Sequence, residues 1–154
     1  MNKVKKITKY PPMQEYLLLI LHELQNRSEQ NYISEKDLKF AADYLNLTYG
    51  SVYGVAKYYT MFSLKPRGRY IIRVCHSPVC EMLNSSSLLL ELKKVLGIDI
   101  DETTPDGLFT LEMTECLGQC DKSPTMLVNT NLYTRVTPKK GRDVIARLKK
   151  KSNI

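Results

Sequence analysis

Apolar residues recur first at helical spacing and then at strand spacing. Leu17, Leu18, Leu21 and Leu24 return every three or four residues and predict a helix over 13–26. Ser34 followed by Asp37 is a capping-box start, with Asp in place of the usual Glu. Leu38, Ala41, Ala42 and Leu45 then mark one face of a second helix ending near Asn46. A third helix is expected over 51–59, with Val52, Val55 and Ala56 inward and Gly54 allowing a close helix crossing. Residues 65–68, Lys-Pro-Arg-Gly, interrupt the pattern and read as a linker.

Beyond the linker the period changes. Residues 69–74, Arg-Tyr-Ile-Ile-Arg-Val, are rich in β-branched and aromatic side chains and predict a strand. A stiff loop over 76–79, holding Pro78, leads to a helix reaching Leu96, with Leu88, Leu89, Leu92 and Val95 inward. Asp106-Gly107 marks a turn, and Phe109, Leu111 and Met113 alternate as a strand. Met126, Val128 and Leu132 suggest two more strands about a turn at 129–131. Thr137-Pro138 starts a last helix, whose apolar face is Val144, Ile145 and Leu148. The expected class is α+β: a helical domain over 1–68, including a loose basic arm over 1–12, followed by a mixed domain over 69–154.

Charge changes this picture little. The net charge of +7 raises nucleic-acid binding as a class. However, residues 1–10 hold four lysines and no acid, 138–154 carry a net +6, and the stretch between them is left at −3. Basic ends on a slightly acidic body read as solvated tails or a helix end, so no nucleic-acid partner is expected. The apolar run 17–21 is far shorter than the ~18 residues a membrane span needs, and His22 and Glu23 follow it. The start, Met-Asn-Lys-Val-Lys-Lys, imitates a signal n-region, but no small-residue cleavage site follows. The expectation is a cytoplasmic protein with no direct membrane insertion, compatible with peripheral association with a membrane-bound complex.

The chemistry is concentrated in the four cysteines. Cys75 and Cys80 form C-x4-C, Cys116 and Cys120 form C-x3-C, and 35 residues separate the pairs. Thiolates select zinc, copper(I) or iron–sulfur iron. A [2Fe–2S] cluster takes four of them, two on each iron. Structural zinc favours C-x2-C knuckles, which are absent here, as are the plant-type ferredoxin run and the C-x-x-C redox pair. Spacing alone therefore leaves three readings open, in descending order: a two-iron cluster, zinc, and disulfides or free thiols. The seven glycines form neither G-x-G-x-x-G nor a P-loop, and two histidines offer no acid–base constellation.

The residues around the second pair narrow the choice. Glu-Thr-Thr-x-Asp-Gly-x-Phe-Thr-Leu-Glu over 102–112, Glu-Cys-Leu-Gly-x-Cys-Asp over 115–121 and Pro-x-Met-x-Val-Asn over 124–129 stand together. With C-x4-C upstream, they closely resemble the thioredoxin-like [2Fe–2S] subunit of NADH-dehydrogenase modules. That family includes the small iron–sulfur subunit of respiratory complex I and matching subunits of NAD-linked hydrogenases, electron-bifurcating complexes and formate dehydrogenases. The resemblance runs from about Tyr10 onward, and its string Gly54 to Phe62 falls in the family's helical N-terminal region.

The resemblance implies a thioredoxin-like domain behind a helical one. It implies a single [2Fe–2S] cluster, with Cys75 and Cys80 on one iron and Cys116 and Cys120 on the other. It implies a flavoprotein partner that holds FMN and the NAD site, with other iron–sulfur or hydrogenase subunits as further candidate partners. The chain itself would be non-catalytic, an electron carrier within an NAD(P)H-dependent oxidoreductase complex. The alternatives are a stand-alone thioredoxin-like ferredoxin and a zinc-stapled interaction module. Three departures from the family pattern stand out. Asn84 occupies a usual Gly position, which predicts a left-handed backbone there. Gln119 and Ser123 replace Ala, and either could act on the cluster through hydrogen bonds or be neutral drift. His76, between the first two cysteines, is expected to be an exposed loop residue within hydrogen-bonding reach of a cluster sulfur and not a ligand, since a Rieske centre needs two histidines on one iron.

Overall fold

A computed structural model describes Ile7 and residues 9–152. The expected loose arm over 1–12 falls largely outside the described residues. The chain divides into two units, Met1–Arg67 and Gly68–Ile154.

The first unit is helical. A single 3-10 turn at Gln14–Tyr16 precedes α1 (Leu17–Arg27), where one continuous helix was expected. Helix α2 spans Glu35–Leu45 and α3 spans Tyr49–Tyr58. The leucine stripe does what its spacing requires: Leu17, Leu21 and Leu24 are buried, joined by Ile20, in one core with Leu38, Ala41, Ala42 and Leu45. The capping box is complete. Asp37 N–H donates to Ser34 Oγ at 3.2 Å, and Ser34 N–H donates to Asp37 Oδ2 at 3.2 Å. Asn46 ends α2 in the left-handed region at φ 52°.

Helix α3 starts two residues earlier than expected, because the Thr48 hydroxyl accepts the Ser51 N–H at 3.2 Å and caps it. Val52 and Ala56 are buried and Val55 is partly so. The expected close crossing at Gly54 is not found: that residue is exposed, with open space where a Cβ would project. The cause is angular. At about 100° per residue, position 54 lies about 200° from Val52, on the face opposite the core.

The second unit is built on a five-stranded mixed sheet of order β2-β3-β1-β4-β5. Its strands are β1 (Tyr70–Cys75), β2 (Glu102–Thr103), β3 (Phe109–Thr114), β4 (Met126–Val128) and β5 (Asn131–Tyr133). Central β1 runs parallel to β3 and antiparallel to β4. Its helices are α4 (Pro78–Met82), α5 (Ser85–Leu96) and α6 (Pro138–Ser152). Alternation sorts β1 by face. Ile72 and Val74 join a core of Leu88, Leu92, Phe109 and Ile145. Arg73, on the other face, pairs with Glu112 across the β1–β3 register at 2.8 Å. Met113 breaks the expected alternation and is exposed, whereas Phe109 and Leu111 are fully buried.

Three details depart from the expected elements. Strand β2 is only two residues long and carries no periodic signal. Residues 78–79 are not loop: Pro78 opens α4, so Cys80 lies on a helix. The helix to Leu96 is also broken, since Asn84 adopts φ 70°, as its place in the motif predicted. The close helix contact expected at Gly54 occurs instead at Gly141 of α6, where a Cβ would come within 2.6 Å of Leu88 Cδ1 on α5.

Two backbone positions should respond sharply to substitution. A Cβ on Gly68 would sit 2.8 Å from the Phe109 backbone, which cannot rotate away, so Gly68→Ala should destabilise by about 1–3 kcal/mol in denaturant or thermal melts. Asn84→Gly should melt at or above the parent. Asn84→Val should lose about 1–2 kcal/mol, since a β-branched side chain is strained in the left-handed region. A Val variant that melts with the parent would contradict the left-handed assignment.

Candidate metal centre

Strand β1 delivers Cys75 at its last position. The chain turns at Ser77, the residue before α4, and α4 carries Cys80 back toward the strand end. Both cysteines are 1% exposed. On the other side, β3 ends at Thr114 and a short loop presents Cys116. Gly118 takes φ 74°, a conformation glycine adopts without strain, and the loop closes on a 3-10 turn beginning at Cys120. Cys116 and Cys120 are exposed, and their sulfurs lie 3.4 Å apart.

Backbone hydrogen bonds bring the two loops together. Cys75 N–H donates to the Thr125 carbonyl at 3.1 Å, and His76 N–H donates to the Thr114 carbonyl at 2.9 Å. The Leu117 and Ser77 amides stand near enough to the Cys75 sulfur to favour its thiolate form. The Ser77 hydroxyl is 3.2 Å from Cys75 Sγ. Cys80 Sγ lies 3.3 Å from Ser123 Oγ and 3.6 Å from Thr125 Oγ1. All four cysteines therefore stand in one electrostatic neighbourhood, with the charges of Cys75 and Cys80 acting on Cys120.

The thiols are not equivalent. Burial pushes the Cys75 thiol up, but the Ser77 hydroxyl and amide, the Cys80 thiol and the Leu117 amide outweigh it and bring its pKa down to about 7. The Gly118 N–H, 3.4 Å from Cys116 Sγ, lowers the Cys116 thiol. Cys120 moves the opposite way, held up by the neighbouring Cys116 sulfur. A lowered thiol pKa favours the thiolate, the form that binds metals.

This donor set fits a two-iron group. The sulfurs approach two by two, one buried pair and one exposed pair. Among the described residues, no three His, Cys, Asp or Glu side chains converge on a single-ion position. Two thiolates on each of two irons is the demand of a [2Fe–2S] cluster. The site lies at a strand end. A cavity of about 610 Å³ does occur in the first unit, lined by Leu24, Arg27, Tyr32 and Phe40 among others, but no cysteine borders it.

The other residues singled out by sequence fall as follows. His76 is exposed, as expected, but its Nδ1 lies 3.0 Å from Glu81 Oε2 and is turned to that carboxylate. The Ser86 and Ser85 hydroxyls, together with His76, hold the Glu81 carboxyl below its usual range. Gln119 accepts from Lys122 Nζ at 3.3 Å, so its carbonyl oxygen is directed to that lysine. Ser123 does reach a cysteine sulfur. Ser77 and Thr125 were not anticipated. Ser77 follows Cys75 by two residues and could have been suspected, whereas Thr125 lies 45 residues from Cys80 and carries no local signal.

Comparison with known proteins identifies the family. The family model described as thioredoxin-like [2Fe-2S] ferredoxin matches residues 4–149. A protein of Mycobacterium tuberculosis named as a subunit of NADH-quinone oxidoreductase is 36% identical over 143 residues, covering 93% of this chain and 56% of that protein. The chain thus spans a little over half the length of that curated relative. The Aquifex aeolicus protein of the same name is 40% identical over 127 residues, covering 82% of this chain and 78% of its own length. A subunit of the NADP-reducing hydrogenase of Solidesulfovibrio fructosivorans is 32% identical over 143 residues, covering 93% and 82% respectively. Among solved structures, a chain of an NAD+-reducing [NiFe]-hydrogenase in the H2-reduced state superposes with TM-score 0.77 at 23% identity, over 90% of this chain and 23% of that one. That likeness bears on the fold alone. Among the described residues, no helix is long and apolar enough to cross a membrane.

Proposed function

The chain belongs to the thioredoxin-like [2Fe–2S] ferredoxin family, and from that membership we propose that it is the electron-transfer subunit of an NADH-dehydrogenase or hydrogenase type complex. Its cluster exchanges electrons with the FMN of a flavoprotein subunit that oxidises NADH or reduces NAD(P)+. Cys75 and Cys80 hold one iron, and Cys116 and Cys120 hold the other. One observation carries the reading: a thiol pair from β1 and α4 and a thiol pair from the loop after β3 gather at the end of β1, one pair buried and one exposed. The names of the Aquifex aeolicus and Solidesulfovibrio fructosivorans relatives, whose lengths this chain mostly spans, support the type of complex.

When bound, the cluster accepts and returns one electron at a time. The chain's own residues do the rest. Cys75 and Cys80, at the closed end of the strand, keep their side of the site out of water. Cys116 and Cys120 bring the other side to the surface, where a partner's redox group can approach. The Gly118 N–H bonds the Cys116 sulfur, and the nearby Ser77 and Leu117 amides favour thiolate charge on Cys75. A hydride carries two electrons, so the partner's flavin must separate them before this subunit takes one.

Cys116→Ser should lose or strongly weaken the cluster, because a serine oxygen is a harder and poorer ligand. His76→Ala should keep it, since that imidazole faces Glu81. Iron and labile-sulfide assays with visible spectra decide both, and an intact cluster in the Cys116 variant refutes the ligand set. The anaerobically prepared parent should hold about two irons and two sulfides per chain. The cluster should be reduced by a chemical reductant but not by NADH alone, and by NADH once the cognate flavoprotein is added. An EPR titration with and without that partner tests this. Rapid reduction by NADH in the flavin-free chain would overturn the carrier reading.

A further inference from the structure

Two hydroxyls outside the ligand set face the sulfur of Cys80. Ser123 Oγ stands 3.3 Å from it and Thr125 Oγ1 stands 3.6 Å from it. Both come from the segment that follows the second cysteine pair, so they reach the buried pair across the site. We propose that Ser123 and Thr125 are positioning residues that raise the reduction potential of the cluster by donating hydrogen bonds to the Cys80 sulfur. This rests on the cluster reading above.

The direction of donation follows from chemistry. A sulfur that ligates iron carries no proton, so each hydroxyl can only donate to it. Reduction adds one electron, and part of that negative charge falls on the sulfurs. A donor aimed at sulfur therefore stabilises the reduced state more than the oxidised one, and the potential rises.

The two hydroxyls differ in how free they are to do this. Thr125 is 1% exposed. Among the described residues, the partner of its hydroxyl is Cys80 Sγ, while its carbonyl accepts the Cys75 N–H. Thr125 thus touches both buried cysteines, one through the backbone and one through the side chain. Ser123 has one hydroxyl hydrogen and two acceptors, Cys80 Sγ at 3.3 Å and the Cys120 carbonyl at 2.9 Å. Added charge on sulfur draws that hydrogen from the carbonyl to Cys80. The effect is one-sided: Ser77 serves Cys75, and no hydroxyl among the described residues bonds the Cys120 sulfur.

The test uses the full chain, loaded anaerobically with iron and sulfide, in four forms: parent, Thr125→Val, Thr125→Ser and Ser123→Ala. Potentiometric EPR titration gives each midpoint potential, and resonance Raman gives the Fe–Sγ stretching bands. Losing one charge-assisted donor should lower the equilibrium constant for reduction about tenfold, or about 59 mV for a one-electron couple. The expected result is a more negative potential in Thr125→Val and Ser123→Ala, a near-parent potential in Thr125→Ser, and shifted Fe–Sγ bands only in the first two. Val matches Thr in shape, so a purely structural role would leave the potential in place. Should Thr125→Val take up no cluster, Ser123→Ala, at a half-buried position, decides the matter alone. Unchanged potentials and bands in loaded variants overturn the inference and leave the cluster reading intact. A parent holding zinc and no labile sulfide would instead bring down the cluster reading, and this inference with it.

Discussion

The backbone hydrogen bonds at the end of β1 are the constraint on which the site depends. A central strand must satisfy its polar groups on both edges even where its neighbours are running out. Cys75 N–H finds the Thr125 carbonyl and His76 N–H finds the Thr114 carbonyl. Those two bonds draw in the segment before β4 and the end of β3. With them come the loop that carries Cys116 and Cys120 and the hydroxyl of Thr125. The cysteines meet because the sheet closes its ladder there.

The helices sustain that arrangement without touching the chemistry. Phe109, Leu111, Ile72 and Val74 are held beneath α5 and α6, whose close contact is permitted by Gly141. Asn84 breaks what would be one long helix into α4 and α5, and the break lets α4 return Cys80 to the strand end. A one-residue change of backbone hand thus helps place a cysteine four positions away. The helical first unit has its own core and its own caps, and no cysteine lies in it.

Burial and exposure divide the work among the four thiols. A cluster buried on all sides would be protected but out of reach, and one exposed on all sides would be open to water. Here one pair is 1% exposed and the other lies at the surface. The polar groups follow the same division, with hydroxyls gathered on the buried pair and the Gly118 amide on the loop. In the low-dielectric interior each such dipole acts more strongly than it would in water.

Much of this was determined by the sequence alone. The leucine stripes, the capping box at Ser34 and the change of period after Lys65 follow from local rules, because helix and strand periodicities are properties of neighbouring residues. The α+β class, the cluster type and the left-handed Asn84 were legible in the periodicity and in the family's motifs. Other features depended on partners distant in the chain, and only the tertiary structure decided them. Gly54 faces solvent while Gly141 makes the close contact, since helix packing is set by which faces meet. Strand β2 exists because Glu102 and Thr103 find Leu111 and Thr110, not because of any period of their own. His76 turns to Glu81, and Thr125 reaches Cys80 across 45 residues. Spacing can announce that four thiols will gather, but which hydroxyls surround them is fixed by the register of β1 against β4, a long-range quantity with no local signature.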